Sequence, residues 1–234
     1  MSHAAIAQRL STLMSLQHPP IALTFVDEAP SDIAQTTEPV PSACTFWRRA
    51  EQRTFYAAAD QHFNCPVGSM VMGFELPSEV SERLGGLVQS MCDVHYLSPD
   101  EVAKIPAVSR RSTGIVYGPL HEFPLDPDVV ILWVDVAQAM LYNEAAGRAA
   151  WTSTPMDVTG RPGCAALPLA MRDDQPRMSL GCAGMRTFTE IGDELILAIV
   201  PGNALSRFVD DLAGTMESNA VMREFYSAQK AAIG

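Results

Sequence analysis

The sequence predicts an α+β (mixed α/β) fold, a single domain over residues 1–234 with one mixed sheet and flanking helices. Three observations lead there. Helical and strand-like patterns interleave without the strict alternation of βαβ units, so a purely parallel sheet is not expected. The stretch "MRTFTEIGDELILAIVPG" reads as a hairpin, two apolar arms joined at Gly192-Asp193. Finally, 234 residues with 47% apolar and 18% charged content can bury a sizeable core without a disulfide or metal to support it.

The elements follow in order. Ile6, Leu10, Leu13 and Met14 share one helical face, and Pro19-Pro20 ends that helix before the strand "IALTFV", Ile21 to Val26. After an acidic, proline-containing loop, Ser42 is placed to cap a helix beginning near Ala43. "RTFYAAADQHFNC" starts as a strand and ends in a turn, and Pro66 suits the first position of a short helix, "VGSMVMGF". Leu76 to Met91 reads as a longer helix despite Gly85-Gly86. "GIVYGPL" and "DVVILWV" read as strands, and "DVAQAMLYNEAAG" as a helix stopped by Gly147. Trp151 to Gly184, with four prolines and four glycines, reads as a looped region with short elements. Two closing helices are expected, Asn203 to Leu212 and Ala220 to Ala232. The "RTF" openings at Arg53 and Arg186 echo each other too briefly to establish a duplication.

The formal net charge of −11 and the lack of a basic stretch argue against nucleic-acid partners and anionic membrane surfaces. The apolar run "VVILWV" has six residues, far short of the roughly 20 a membrane helix needs. No secretory leader is read at the N-terminus, so the expected location is the cytoplasm. Five cysteines in such a chain do not form a disulfide framework, and buried small hydrophobes are their default role.

Their settings modify that default. Cys44 lies in the first turn of an expected helix, Cys65 precedes Pro66, Cys164 follows Gly163, and Cys182 sits between Gly181 and Ala183-Gly184. Cys92 alone occupies the apolar run of a helix and fits the buried role. Helix N-termini offer free N–H groups and partial positive charge to a thiolate. Cysteines beside proline or glycine suit iron–sulfur ligation, and four thiols match its usual count. The spacings are long, with no C-x2-C pair, so unligated thiols remain a competing reading. Zinc is the rival metal, since His62 precedes Cys65 by three residues. His121, at an expected strand end, is a candidate base, whereas His3, His18 and His95 have no supporting context. Phe46, Trp47, Phe55 and Tyr56 surround the first two cysteines as core aromatics or as walls of a dry pocket.

The pieces "HPPIALTFV", "NCPVGSMVMGF", "YGPL", "PDVVILWVDVAQAMLYNEA" and "GCAGMR…DELILAIVPG" occur in the same order as in the domain-of-unknown-function 169 family. The chain resembles this largely uncharacterised bacterial and archaeal family from about His18 to Gly202. The resemblance implies cysteines at positions 44, 65 and 182, followed by Gly184 and Arg186 as a Gly-x-Arg motif. Cys164 is the further candidate for a fourth ligand.

The leading expectation is therefore an iron–sulfur or other metal-binding protein, with Cys44, Cys65, Cys164 and Cys182 as ligands and a 4Fe–4S cluster as the favoured cofactor. Its role would be redox chemistry or activation of a small molecule, as in an oxidoreductase or lyase. Cys182 and Arg186 are the candidate catalytic pair, Arg186 offsetting cluster charge or holding an anionic substrate. A metal-free thiol enzyme, with Cys65 or Cys182 as nucleophile and His62 or His121 as base, is the second reading. A non-catalytic small-ligand binder is the third. Expected partners are a small-molecule substrate or a redox protein, and a homo-oligomer joined through "GSMVMGF" stands beside that segment's default as core. Gly181 to Gly184 is expected to turn at the lip of a pocket shared with Cys65 and Cys44, with Arg186 starting the strand that leaves it.

Overall fold

The computed structural model describes residues 1–147 and 158–233. Seven strands form one mixed sheet: β1 (Ile21–Val26), β2 (Phe55–Ala58), β3 (Gly114–Pro119), β4 (Val129–Val134), β5 (Val158–Thr159), β6 (Arg177–Ser179) and β7 (Ile196–Pro201). Their order across the sheet is β2-β3-β1-β4-β7-β6-β5. All neighbours are antiparallel except β5 and β6. Strand β4 is buried at every position because both faces of the sheet are covered, so its sequence runs apolar without alternation.

The helices are α1 (His3–Met14), α2 (Thr45–Ala50), α3 (Pro66–Val71), α4 (Ser78–Asp93), α5 (Pro99–Val102), α6 (Val136–Ala145), α7 (Ala166–Asp173), α8 (Ala183–Thr189) and α9 (Leu205–Ile233). Alternation along the strands sorts them into two layers. Ala22, Val130, Leu132 and Val200 face α1, α6 and α9. Leu23, Ile131, Trp133 and Ile199 face α2, α7 and α8. The result is one α+β domain with a core on each side of the sheet. Among the described residues no helix is long and apolar enough to cross a membrane.

Local chemistry fixes several boundaries. Asp135 and Gln138 form a capping box at the start of α6. Gly147 follows that helix at φ +71°, where a side chain would strain the backbone. Pro66 occupies the first turn of α3. The core position of α3 agrees with the default reading of "GSMVMGF", since Gly68, Ser69, Val71 and Met72 are buried.

The expected hairpin is half wrong. Its second arm is β7, but its first arm is helix α8, because Cys182 caps the N-terminus and Glu190 closes it in the left-handed conformation. Arg186 consequently lies within a helix and starts no strand. The two expected closing helices are one continuous α9, which passes through Gly214. Helix α2 starts at Thr45, with Cys44 rather than Ser42 at the cap. The "RTF" echo is not repeated in structure either, leading into β2 in one case and lying within α8 in the other. Of the looped region expected from Trp151 to Gly184, residues 151–157 lie outside the described residues; the remainder includes α7, with Pro168 in its first turn.

Candidate functional site

Four short elements on the α2 side of the sheet begin at or beside a cysteine. Cys44, Cys65 and Cys182 are the N-cap residues of α2, α3 and α8. Cys164 lies in the tight turn Gly163–Ala165 that leads into α7. Two of the sulfurs act as caps: Cys65 Sγ accepts from Gly68 N–H at 3.3 Å, and Cys182 Sγ from Met185 N–H at 3.4 Å. Each sulfur thus takes the place that Ser or Asp oxygen fills in an ordinary cap, and the partial positive end of the helix stands beside it.

The four loops touch in a ring. A Cβ added to Gly68 would lie 2.9 Å from Cys65 Sγ and 3.1 Å from Ala43 Cβ, so the Cys44 and Cys65 loops meet there. A Cβ on Gly163 would lie 2.9 Å from Gly181 Cα, which joins the Cys164 and Cys182 loops. Helix α2 packs on α8, and α3 packs on the Gly163–Ala165 turn. Gly181 itself has φ +81°, a conformation that suits glycine.

At the centre of this ring is a cavity of about 400 Å³, lined by all four cysteines. Cys44 is buried and the other three are half-buried. Burial pushes the Cys44 thiol up to about 12, against a hydrogen bond from Ser42, and the neighbouring Cys65 and Cys182 sulfurs add to the rise. Burial also pushes Cys164 well above its ordinary value, with further contributions from Cys65, Cys182 and Cys44. Without a compensating cation these two thiols stay protonated at neutral pH. Trp47, one turn along α2 from Cys44, also lines the cavity. Its Nε1–H is buried without a hydrogen-bond partner among the described residues, and orphans of this kind mark strain or a missing bound group.

The other sequence candidates lie elsewhere. His62 does not line the cavity. Its Nδ1 bonds the Ala58 carbonyl at 2.9 Å, and its Nε2 meets the Tyr117 hydroxyl at 2.9 Å. Burial lowers its pKa to about 4, so it is a neutral core residue with both nitrogens engaged. Its phenol partner stands close enough to Cys164 and Cys44 to feel their charge, though burial is the larger cause of Tyr117's raised pKa. His121 is half-exposed, 3.8 Å from Glu122 and outside the cavity. Arg186 is also absent from the cavity lining. Its guanidinium bonds the carbonyls of Leu180 at 2.9 Å and Leu195 at 3.2 Å, tying the Cys182 loop to the start of β7. Of the flanking aromatics, Phe46, Trp47 and Phe55 join the core on this side, whereas Tyr56 faces the opposite layer. Cys92 is half-buried on α4, a helix whose only buried residue is Val80, so the expected core role is corrected.

Residues that sequence reasoning passed over complete the walls. Leu84, Leu87, Val88 and Met91 of α4 close one side, at the spacing of a helical stripe that was legible in principle. Arg161 also lines the cavity, three residues before Cys164; only that proximity could have marked it.

Comparison with known proteins gives the chain its place. It matches the DUF169 family, described as uncharacterised ArCR, over residues 9–211. The chain belongs to this family. The matched span includes all seven strands and all four cavity cysteines, and it stops within α9. The archaeal "Uncharacterized protein MJ0308" of Methanocaldococcus jannaschii is 27% identical over 222 residues, covering 87% of this chain and 91% of that protein. No solved structure matches.

Proposed function

We propose that the DUF169 chain holds an iron–sulfur cluster in the cavity, with Cys44, Cys65, Cys164 and Cys182 as ligands. The observation that carries this reading is the meeting of four cysteines, each 18 to 99 residues from the next in sequence, around one cavity. The donor set fits the four-thiolate ligation of a 4Fe–4S cluster. Among the described residues no group of three or more His, Cys, Asp or Glu side chains is gathered tightly enough for a single metal ion. A cluster has a different requirement: each thiolate binds its own iron, so the sulfurs need not meet at one point. Such a cluster, with a thiolate on each iron, would supply one-electron transfer.

The chain's own groups fit that use. The N–H groups of Gly68 and Met185 already point at two of the sulfurs and would support thiolate charge there. Arg186 is a positioning residue for the Cys182 loop, reaching two carbonyls on either side of it.

The metal-free thiol-enzyme reading is less favoured because neither His62 nor His121 lines the cavity, and a nucleophilic thiol needs a base within reach. Anaerobic purification tests the proposal. The expected product is brown, with broad visible absorbance and about four irons per chain. A colourless preparation that also fails to take up iron and sulfide on reconstitution overturns it.

A further inference from the structure

The four cysteines make up only some of the cavity lining, and the other lining residues have a chemistry of their own. Much of the remainder is apolar, with Leu84, Val88 and Met91 of α4 on one side and Phe188 and Ile105 on others. Among the described lining residues Arg161 is the one charged side chain. A wall of this kind gains by covering with an apolar body, and its lone cation sets which end of that body carries charge.

The guanidinium of Arg161 is held but not used. It lies over the Tyr96 ring at 4.3 Å from the centroid, a contact that fixes its plane while leaving its edge free. Among the described residues Glu101 is its nearest carboxylate, at 4.0 Å, too long for a hydrogen bond. That carboxylate is committed elsewhere, accepting the Ser98 N–H at 2.7 Å in the capping box of α5. No side chain or carbonyl among the described residues accepts a hydrogen bond from Arg161. The contrast with Arg186 is direct, since that guanidinium is spent on backbone carbonyls. A planar fork with free donors matches a carboxylate through two parallel bonds.

We infer that this cavity binds a small organic acid with an apolar tail or ring, its carboxylate on Arg161 and its apolar part against α4, facing the four thiols. The inference deepens the metal-site reading and rests on it for any part the thiols play; the binding itself depends only on Arg161 and the apolar walls. A carboxylate anchored at Arg161 leaves the apolar part of the molecule for the walls that Leu84, Val88 and Met91 provide.

The test is titration calorimetry of the full chain with octanoate, octan-1-ol and octylammonium, on iron-loaded protein and on protein stripped with a chelator. Octanoate is expected to bind at least tenfold more tightly than the alcohol, with octylammonium the weakest. Arg161→Gln should lose that tenfold preference while keeping the wild-type affinity for octanol and the wild-type iron content. Glu101→Gln should bind octanoate at least as well as wild type. Octanoate and octanol of equal affinity overturn the inference, as does an Arg161→Gln protein, folded by circular dichroism, that still prefers octanoate. Absence of binding by all three probes overturns it as well. The two proposals fail separately. Iron-loaded protein without the preference removes the organic-acid site alone, whereas a chain that takes up no iron yet discriminates octanoate removes the metal reading alone.

Discussion

The two faces of the sheet are built differently, and the difference separates stability from chemistry. One face is covered by α1, α6 and α9, helices of 12, 10 and 29 residues whose apolar sides press on the strands. The other carries α2, α3, α7 and α8, of six, six, eight and seven residues, with the 16-residue α4 packed outside them on α3. Helices that short add little stability through their own hydrogen bonds. What they provide is N-termini: three have a cysteine at the N-cap position, and the fourth follows a turn that contains one. Long helices on one side allow the other to be divided into pieces that aim sulfur at a common space.

The largest effect that would break this comparison is at Cys182. Cys182→Ser is expected to drop iron from about four per chain to near none. The metal-free fold should hardly change, because serine caps a helix as well as cysteine does. Iron analysis and a denaturant midpoint read the two halves of that statement. A variant with full iron content would remove Cys182 from the ligand set.

The opposite pattern belongs to the other face. Leu10 is fully buried between α1 and the sheet. Leu10→Ala should cost roughly 2–5 kcal/mol of folding stability and leave iron per folded chain unchanged. A large loss of iron in folded Leu10→Ala protein would show that the two faces are not independent.

How much of this was legible in the sequence follows the same division. Strands β1 and β4 were readable because proline or aspartate bounds an apolar run, and α6 because Asp135 and Gly147 are ordinary start and stop residues. The cysteine face was harder. Helix α8 begins with a sulfur cap, outside the usual Ser/Thr/Asp/Asn set, and its Thr187-Phe188-Thr189 run has strand character. Helix α7 contains Pro168, which is harmless only because it falls in the first turn, where no intrahelical N–H bond is lost. The cysteine settings pointed to a site, but their convergence is a tertiary fact. Arg186 and Arg161 show the limit most plainly. The motif arginine is engaged by carbonyls, and the one in the cavity had no motif.

A pH effect sharpens the contrast within the thiol side. His62 sits fully buried beneath the cavity among Phe46, Phe74 and Tyr117. Its pKa falls from 6.5 to about 4 because burial penalises the imidazolium. Above pH 6.5 both folded and unfolded chains carry it neutral. Between pH 6.5 and 4 only the unfolded chain takes up the proton, so stability falls as pH falls. The loss from this group should reach about 3 kcal/mol near pH 4. Urea midpoints of wild type and His62→Gln across that range isolate it, since the variant should show a shallower decline. Parallel pH curves for the two proteins would assign the acid sensitivity elsewhere.

The smallest effect expected is at the fifth cysteine, and its size matters because it tests whether thiols as a class matter or only those in the ring. Cys92 lies near the end of α4, half-buried, on a helix that contributes one buried residue to the protein. It is outside the cavity lining, although its neighbour Met91 is part of it. A hydroxyl at position 92 can reach water, so it is not trapped without a partner in the way a core serine would be. Cys92→Ser should therefore shift stability by no more than about 0.5 kcal/mol and leave iron content and octanoate affinity at wild-type values. A loss of iron in this variant would draw α4 into the metal site itself. A loss of several kcal/mol would instead mean that α4 is packed far more tightly than a helix burying only Val80 can be.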